Sequence, residues 1–194
     1  KNMGINLLIC AIVRKGEAFV PKGDTILQVG DILYLTGAAE EFRKSFKQLK
    51  LPIKPLQSVM IAGGSRISHY LSEVLLRQGA KVTIVEKNKE MAENLSALVP
   101  KAAVMCDDTL AYFDSMSNAD ISNTDAFIAM TDNDEYNLVA AMYAESQGIN
   151  KVVSRINAKS RLKVLPEGSR ICTISREDVA ADRILGYSRS LLNA

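Results

Sequence analysis

Apolar residues fall in short runs broken by glycine turns up to about position 50. From Ser58 onward they gather into continuous blocks that alternate with helical repeats. In the first part, Leu7-Leu8-Ile9-Cys10-Ala11-Ile12-Val13 predicts a strand, and Arg14-Lys15-Gly16 turns it towards Glu17-Ala18-Phe19-Val20. Pro21-Lys22-Gly23-Asp24 and Gln28-Val29-Gly30-Asp31 are turn sequences, with glycine supplying the positive φ. Asp31 to Thr36 predicts another strand. Ala38 to Leu49 predicts an amphipathic helix, with Phe42, Phe46 and Leu49 at helical spacing. Residues 1–50 therefore predict a small α+β unit, expected to be truncated at its N-terminus. Leu51-Pro52-Ile53-Lys54-Pro55 breaks both patterns, which puts a linker at 51–57.

The second part predicts strict βα alternation. Strands are expected at 58–62, 81–85, 102–106, 125–130, 151–154 and 171–174. Helices are expected at 66–78, 88–97, 109–117, 134–147 and 157–163, with a last one from about 176. Strand cores such as Ala126-Phe127-Ile128-Ala129-Met130 are apolar throughout, as parallel strands covered on both faces must be. Gly79 and Gly148 mark helix C-termini, and Ser175-Arg176-Glu177-Asp178 resembles a capping-box start. Six such units predict an α/β fold over 58–175, a Rossmann-type doubly wound parallel sheet of six strands. Residues 176–194 are then expected to form a C-terminal helix.

Composition narrows the function classes. Lys+Arg 24 against Asp+Glu 22 gives a net charge of +2 with the signs mixed, so no basic stripe invites nucleic acid. The longest apolar run, Leu7 to Val13, is too short to span a bilayer. There is no signal-peptide pattern, and the start at Lys1 is expected of an excised fragment. Cys10, Cys106 and Cys172 are widely spaced in apolar contexts, so they are expected to be buried reduced thiols rather than disulfide or zinc ligands.

A ligand of such a sheet sits outside the carboxyl ends of its strands, at the switch point. Gly63-Gly64-Ser65-Arg66-Ile67-Ser68 is the first turn there. It keeps only the first glycine of G-x-G-x-x-G, with Ser65 and Ser68 in place of the others. Its backbone N–H groups and helix N-terminus attract a pyrophosphate. A Cβ at Ser65 weakens close approach without abolishing it. Arg66 either reaches a terminal phosphate or is a solvated first-turn residue. Glu86, 23 positions after Gly63, either accepts ribose hydroxyls, which disfavours a 2′-phosphate, or is a surface residue ending its strand. Asp108 with Thr109 either borders an adenine or caps the next helix. In Thr131-Asp132-Asn133-Asp134-Glu135-Tyr136-Asn137, Thr131 is a better ligand contact than the carboxylates beside it. His69 is expected on a helix surface.

That last segment, with Gly63-Gly64, Glu86 and the Asp108-Thr109 step, resembles the RCK (KTN) domain of cytosolic regulators of potassium channels and transporters. The stretch Ala11 to Thr25, with Gly30-Asp31, is similar to the small C-terminal companion domain of the same family. The order looks like the middle of a duplicated TrkA-type subunit, and the resemblance covers nearly the whole chain. It implies a non-enzymatic regulator that binds NAD(H) or an adenine nucleotide (ATP/ADP). It also implies a homodimer or larger ring docked on a membrane potassium-translocating subunit (TrkH/KtrB-like), peripheral on the cytoplasmic face. In the family the glycine turn, the acid after the second strand, the Asp after the third and the Thr after the fourth surround the nucleotide. Those roles pass to Gly63, Gly64, Glu86, Asp108 and Thr131, and Arg66 stands where some relatives carry an arginine facing a terminal phosphate. Ser65, Ser68 and Asp107 depart from the pattern. The resemblance also implies that 176–194 is a crossover helix through which the chain dimerises.

Two other function classes compete. A nicotinamide-dependent oxidoreductase would need an acid–base residue facing the ring, and downstream of the nucleotide site the chain offers no His and no obvious Tyr–Lys or Cys–His pair. A degenerate structural repeat would have kept the fold and lost the ligand.

Overall fold

A computed structural model describes residues 7–50, 55–158, 163–166, 168–181 and 184. The chain divides into two compact units, 1–55 and 56–194.

The first unit carries strands β1 (Leu8–Arg14), β2 (Glu17–Phe19) and β3 (Ile32–Thr36) and helix α1 (Ala39–Gln48). The strands form an antiparallel sheet in the order β2-β1-β3, with a register shift between Ile9 and Ala11. Lys15 and Gly16 turn the β1–β2 hairpin with positive φ at both residues, the geometry whose twist matches paired strands. The long β2–β3 connection is held by one ion pair. Arg14 donates from Nε and Nη2 to the two oxygens of Asp31, each at 2.7 Å, and from Nη2 to the Ile26 carbonyl at 2.9 Å. Asp31 also accepts from the Gln28 N–H at 2.8 Å.

The Arg14 bond, followed by the Gln28 N–H, pulls the Asp31 carboxyl down from 3.8 to about 2. A depressed carboxylate stabilises the fold fully above its unfolded pKa, and the contribution disappears as pH falls towards the folded one. Protection of the Gln28 amide from hydrogen exchange is therefore expected to persist at pH 5 and to fall as pH drops from about 4 to about 2. Asp31→Asn should lose that protection at both ends of the range. Equal protection in the variant would remove the carboxylate from this role.

The second unit is a six-stranded parallel sheet flanked by helices. Its strands are β4 (Ser58–Ala62), β5 (Lys81–Val85), β6 (Ala103–Met105), β7 (Ala126–Ala129), β8 (Lys151–Arg155) and β9 (Cys172–Ile174). Their order is β6-β5-β4-β7-β8-β9, so the connection reverses direction between β4 and β7. The helices are α2 (Arg66–Arg77), α3 (Lys89–Leu98), α4 (Thr109–Ser115), α5 (Asn118–Ser122) and α6 (Asp134–Ser146). Period-2 alternation sends Val59 and Ile61 of β4 to the α2/α3 face, with Leu75 and Leu95. Met60 and Ala62 go to the α4/α6 face, with Phe113, Phe127 and three fully buried alanines of α6, Ala140, Ala141 and Ala144. Phe113 meets Phe127 edge-on, ring centroids 5.1 Å apart. The alanines let α6 lie close on the sheet, since each brings no side chain beyond Cβ. Gly79 and Gly148 end α2 and α6 with positive φ. The following N–H reaches back over the last turn in each case, Ala80 to the Leu75 carbonyl and Ile149 to that of Ala144.

Three expectations need correction. The helix expected over 109–117 stops at Ser115, because Met116 is extended, and Ser117 caps a separate helix, α5. The helix expected over 157–163 does not begin at Asn157 or Ala158, which are irregular, and Lys163 and Val164 lie in a 3₁₀ turn. Residues 159–162 lie outside the described residues. The three cysteines are reduced but exposed rather than buried. Among the described residues, Cys106 and Cys172 lie at the ends of the two edge strands of their sheet, and Cys10 lies at the register shift of β1. The final helix begins at Arg176, with the Ser175 hydroxyl accepting from the Asp178 N–H at 3.0 Å. Of the expected crossover helix, 182, 183 and 185–194 lie outside the described residues.

Candidate functional site

Register brings the site together. Ala62 pairs with Val85 on one side and Ala129 on the other, and Val85 pairs with Met105. Four strands thus end in line, and the residues that follow, from Gly63, Glu86, Cys106 and Met130, project from one edge. They enclose a cavity of about 450 Å³. Gly63, Gly64, Ser65, Glu86, Asp108 and Thr131 all line it, as do Asp107, Asp132 and Tyr136. Neither Arg66 nor Ile67 lines it; both side chains are exposed on α2. Helix geometry still leaves their two N–H groups without an intrahelical acceptor at the end of α2 that begins beside the cavity.

The turn needs its two glycines for different reasons. Gly63 has φ +98°, and a Cβ there would lie 2.9 Å from the Thr131 backbone. At Gly64 a Cβ would meet Leu95 at 2.6 Å and Glu86 at 2.9 Å. Neither crowding involves the next position, where a Cβ is tolerated. Ser65 caps α2 by accepting from the Ser68 N–H at 3.2 Å, and the Ser68 hydroxyl accepts in return from the Ser65 N–H at 3.3 Å. Ser68, fully buried, also donates to the Gly63 carbonyl at 2.6 Å. The two serines are a capping box that braces the turn.

Glu86 is 9 % exposed. One carboxylate oxygen accepts from the Gly64 N–H at 2.5 Å and the other from the Asn88 N–H at 2.7 Å. Each oxygen keeps lone pairs for a further donor. Asp108 caps α4 with Oδ1, accepting from Leu110 N at 2.9 Å. Its Oδ2 accepts from the Tyr136 hydroxyl at 2.9 Å, and that hydroxyl accepts from Thr109 N at 3.1 Å. Burial, reinforced by the bond to Asp108, raises the Tyr136 phenol above its ordinary pKa and keeps it a neutral donor.

The Thr131–Asn137 segment is the hub. Asn137, fully buried, accepts from Thr131 N at 2.9 Å and Thr131 Oγ1 at 2.7 Å. It donates to the carbonyls of Thr131 at 2.9 Å and Arg155 at 3.0 Å. Asp134 accepts from Asn157 N and Ala158 N, at 2.8 and 2.9 Å, and so ties down the chain after β8. Asn133 caps α6 through Tyr136 N at 2.7 Å. Sequence reasoning noticed this segment but valued Thr131 alone. Tyr136, Asn137 and Arg155 escaped it: Tyr136 and Arg155 reach side chains 28 and 23 positions away, and Asn137 bridges Thr131, six positions away, to Arg155, 18 positions away. His69 sits on α2 stacked on Tyr70, with Glu73 at 3.6 Å, away from the cavity lining.

The TrkA-N domain family matches residues 59–173, and the TrkA-C domain family matches residues 2–50. The chain belongs to the TrkA-N family. Its N-terminal unit is the TrkA-C-like part. The Trk system potassium uptake protein TrkA of Vibrio alginolyticus is 30% identical over 185 residues, which is 95% of this chain and 40% of that protein. The protein of the same name from Halomonas elongata is 26% identical over the same shares. The chain thus spans about two fifths of the length of these curated relatives. Among solved structures, the GsuK RCK domain superposes with a TM-score of 0.57 at 17% identity, over 94% of this chain and 39% of that one. The GsuK channel bound to NAD gives 0.58 at 18%, over 95% and 33%. These likenesses show that the TrkA-N domain here shares the RCK fold. Among the described residues no helix is long and apolar enough to cross a membrane.

Proposed function

We propose that this chain is the nucleotide-sensing part of a cytoplasmic regulatory subunit of a Trk/Ktr-type potassium transporter, and that NAD(H) or an adenine nucleotide bound at the switch point gates transport. The observation that carries the proposal is the in-register convergence of four loops on one cavity, with glycine at both turn positions where a Cβ would collide with the neighbouring Thr131 backbone or with Leu95 and Glu86. Glu86, anchored by two backbone N–H groups, presents its remaining lone pairs to ribose hydroxyls, which favours NAD(H) over a 2′-phosphorylated dinucleotide. The phosphates lie on the N-terminus of α2, where the first-turn N–H groups of Arg66 and Ile67 are donors. The GsuK channel bound to NAD supports the same ligand class. The similar relatives are potassium uptake proteins, which supports a membrane potassium-translocating subunit as partner and a peripheral place on the inner membrane face.

A ligand gates only through its differential affinity for two arrangements of the assembly. A tenfold preference is worth about 1.4 kcal/mol, enough to move a balanced equilibrium.

Calorimetric titration of the chain with NADH, NAD, ATP and ADP is the test. At least one should bind with a Kd of about 1 to 100 μM. No heat from any of the four at millimolar concentration would leave a structural repeat as the better account.

A further inference from the structure

The carboxyl end of β8 supplies a cation that the nucleotide reading leaves unused. Ser154 pairs with Ala129 across β7 and β8, so Arg155 stands level with the start of the loop at Thr131. Its side chain is 4 % exposed. Nη2 donates to the Thr131 carbonyl at 2.5 Å and to Asp132 Oδ1 at 2.8 Å, whereas Nε is buried with no hydrogen-bond partner. A guanidinium removed from water needs its charge answered. The anion that answers it, Asp132, has a side chain 92 % exposed and lines the cavity. The cation is therefore fixed and its counter-ion sits at the surface.

An exposed carboxylate holds such a partner weakly and swings away at small cost. The point 2.8 Å from Nη2 is held by Oδ1 of a residue that lines the cavity, and it suits an anionic oxygen that displaces that carboxylate. Nε and Nη2 share the edge of the guanidinium that grips phosphate with two parallel bonds, and Asp132 takes only half of it. Thr131 packs its backbone against Gly63, so this edge lies next to the phosphate-facing turn. Neither Arg66, the cation expected from sequence to meet a terminal phosphate, nor Arg155 lines the cavity, but Arg155 is bonded to two residues that do, Thr131 and Asp132.

Resting on the nucleotide reading above, we propose that Arg155 is an anion subsite of the cavity, filled by Asp132 of the same chain and taken over by the terminal phosphate of a nucleoside di- or triphosphate. Asp132 is then an internal competitor. NAD(H) has a ribose after its pyrophosphate, so it has no terminal phosphate to bring and should ignore the exchange.

The test is calorimetric titration of the whole chain, wild type and variants, with ATP, ADP and NADH. Asp132→Asn should tighten ATP and ADP by about threefold to fivefold, the worth of one exposed ion pair, and leave NADH unchanged. Asp107→Asn removes the same charge from the same cavity wall without touching Arg155, and should not reproduce the gain. Arg155→Lys keeps the charge but loses the two-bond edge, and should weaken ATP by roughly tenfold. Because Arg155 also holds Thr131, the comparison between the surface variants at 132 and 107 is the decisive one. An equal gain for NADH, an equal gain from Asp107→Asn, or no gain at all would overturn the subsite. If wild type binds nucleotide and Asp132→Asn binds it identically, this inference alone falls. If neither protein binds any of the three, the nucleotide reading falls with it.

Discussion

Gly63→Ala is expected to lower the melting temperature of the TrkA-N domain by roughly 10 °C, from a loss of about 3 kcal/mol, and to abolish nucleotide binding. Two costs combine at this residue. A side chain at φ +98° is strained by about 1–2 kcal/mol. The new Cβ would also stand 2.9 Å from the Thr131 backbone, which cannot yield without dragging the loop that Asn137 holds. Gly79→Ala separates the two. Gly79 has nearly the same conformation, φ +86°, with nothing within 4 Å of an added Cβ. It should show only the strain, about 1–2 kcal/mol, and bind ligand normally. Calorimetric scans of both variants, with titrations on the folded material, measure the difference. Equal losses at Gly63 and Gly79 would mean that the close approach to Thr131 contributes nothing.

Asn137→Leu is the second large effect, a loss of about 3 kcal/mol or more, in a residue that does not itself line the cavity. Leucine matches the volume but leaves the Thr131 N–H without its acceptor and the Arg155 carbonyl without its donor, both inside the protein. Each buried orphan costs about 1–3 kcal/mol. The same change frees the loop that walls the cavity, so exchange at the Thr131 amide should accelerate even in the folded chain. Asn137→Asp tests the donors separately: it retains an acceptor for Thr131, loses both carbonyl bonds and buries a charge. It should be no better tolerated than leucine. A melting temperature within about 2 °C of wild type for either variant, well under what one buried unsatisfied group removes, would show that the loop is held by something else.

The sheet was legible because its physics is local. Strand blocks such as Ala126–Ala129 are apolar on both faces, and glycines with positive φ close α2 and α6. These features depend on neighbours a few positions away. Helix breaks were less legible, since the extended Met116 that separates α4 from α5 carries no glycine or proline to announce it. The exposed cysteines were misjudged for a similar reason, because an apolar run does not reveal that its strand lies at a sheet edge.

The two serines changed most in meaning. In the sequence, Ser65 and Ser68 stand as losses from a glycine fingerprint. In the fold they exchange hydrogen bonds with each other's N–H groups and hold the Gly63 carbonyl. The candidate site divides in the same way. Gly63, Gly64, Glu86 and Thr131 follow strand ends, so spacing alone pointed to them. Tyr136 and Arg155 act across 28 and 23 positions of chain, and Asn137 joins Thr131, six positions away, to Arg155, 18 positions away, and nothing in spacing names the distant partners. Sequence by itself determined the family, the alternation of strands and helices, and the edge at which a ligand would sit, because hydrophobic period and turn chemistry act at short range. Only the tertiary structure decided which polar groups bond to each other around that edge. A hydrogen bond depends on distances of about 3 Å, which the register of separate strands sets and the order of residues along one strand does not.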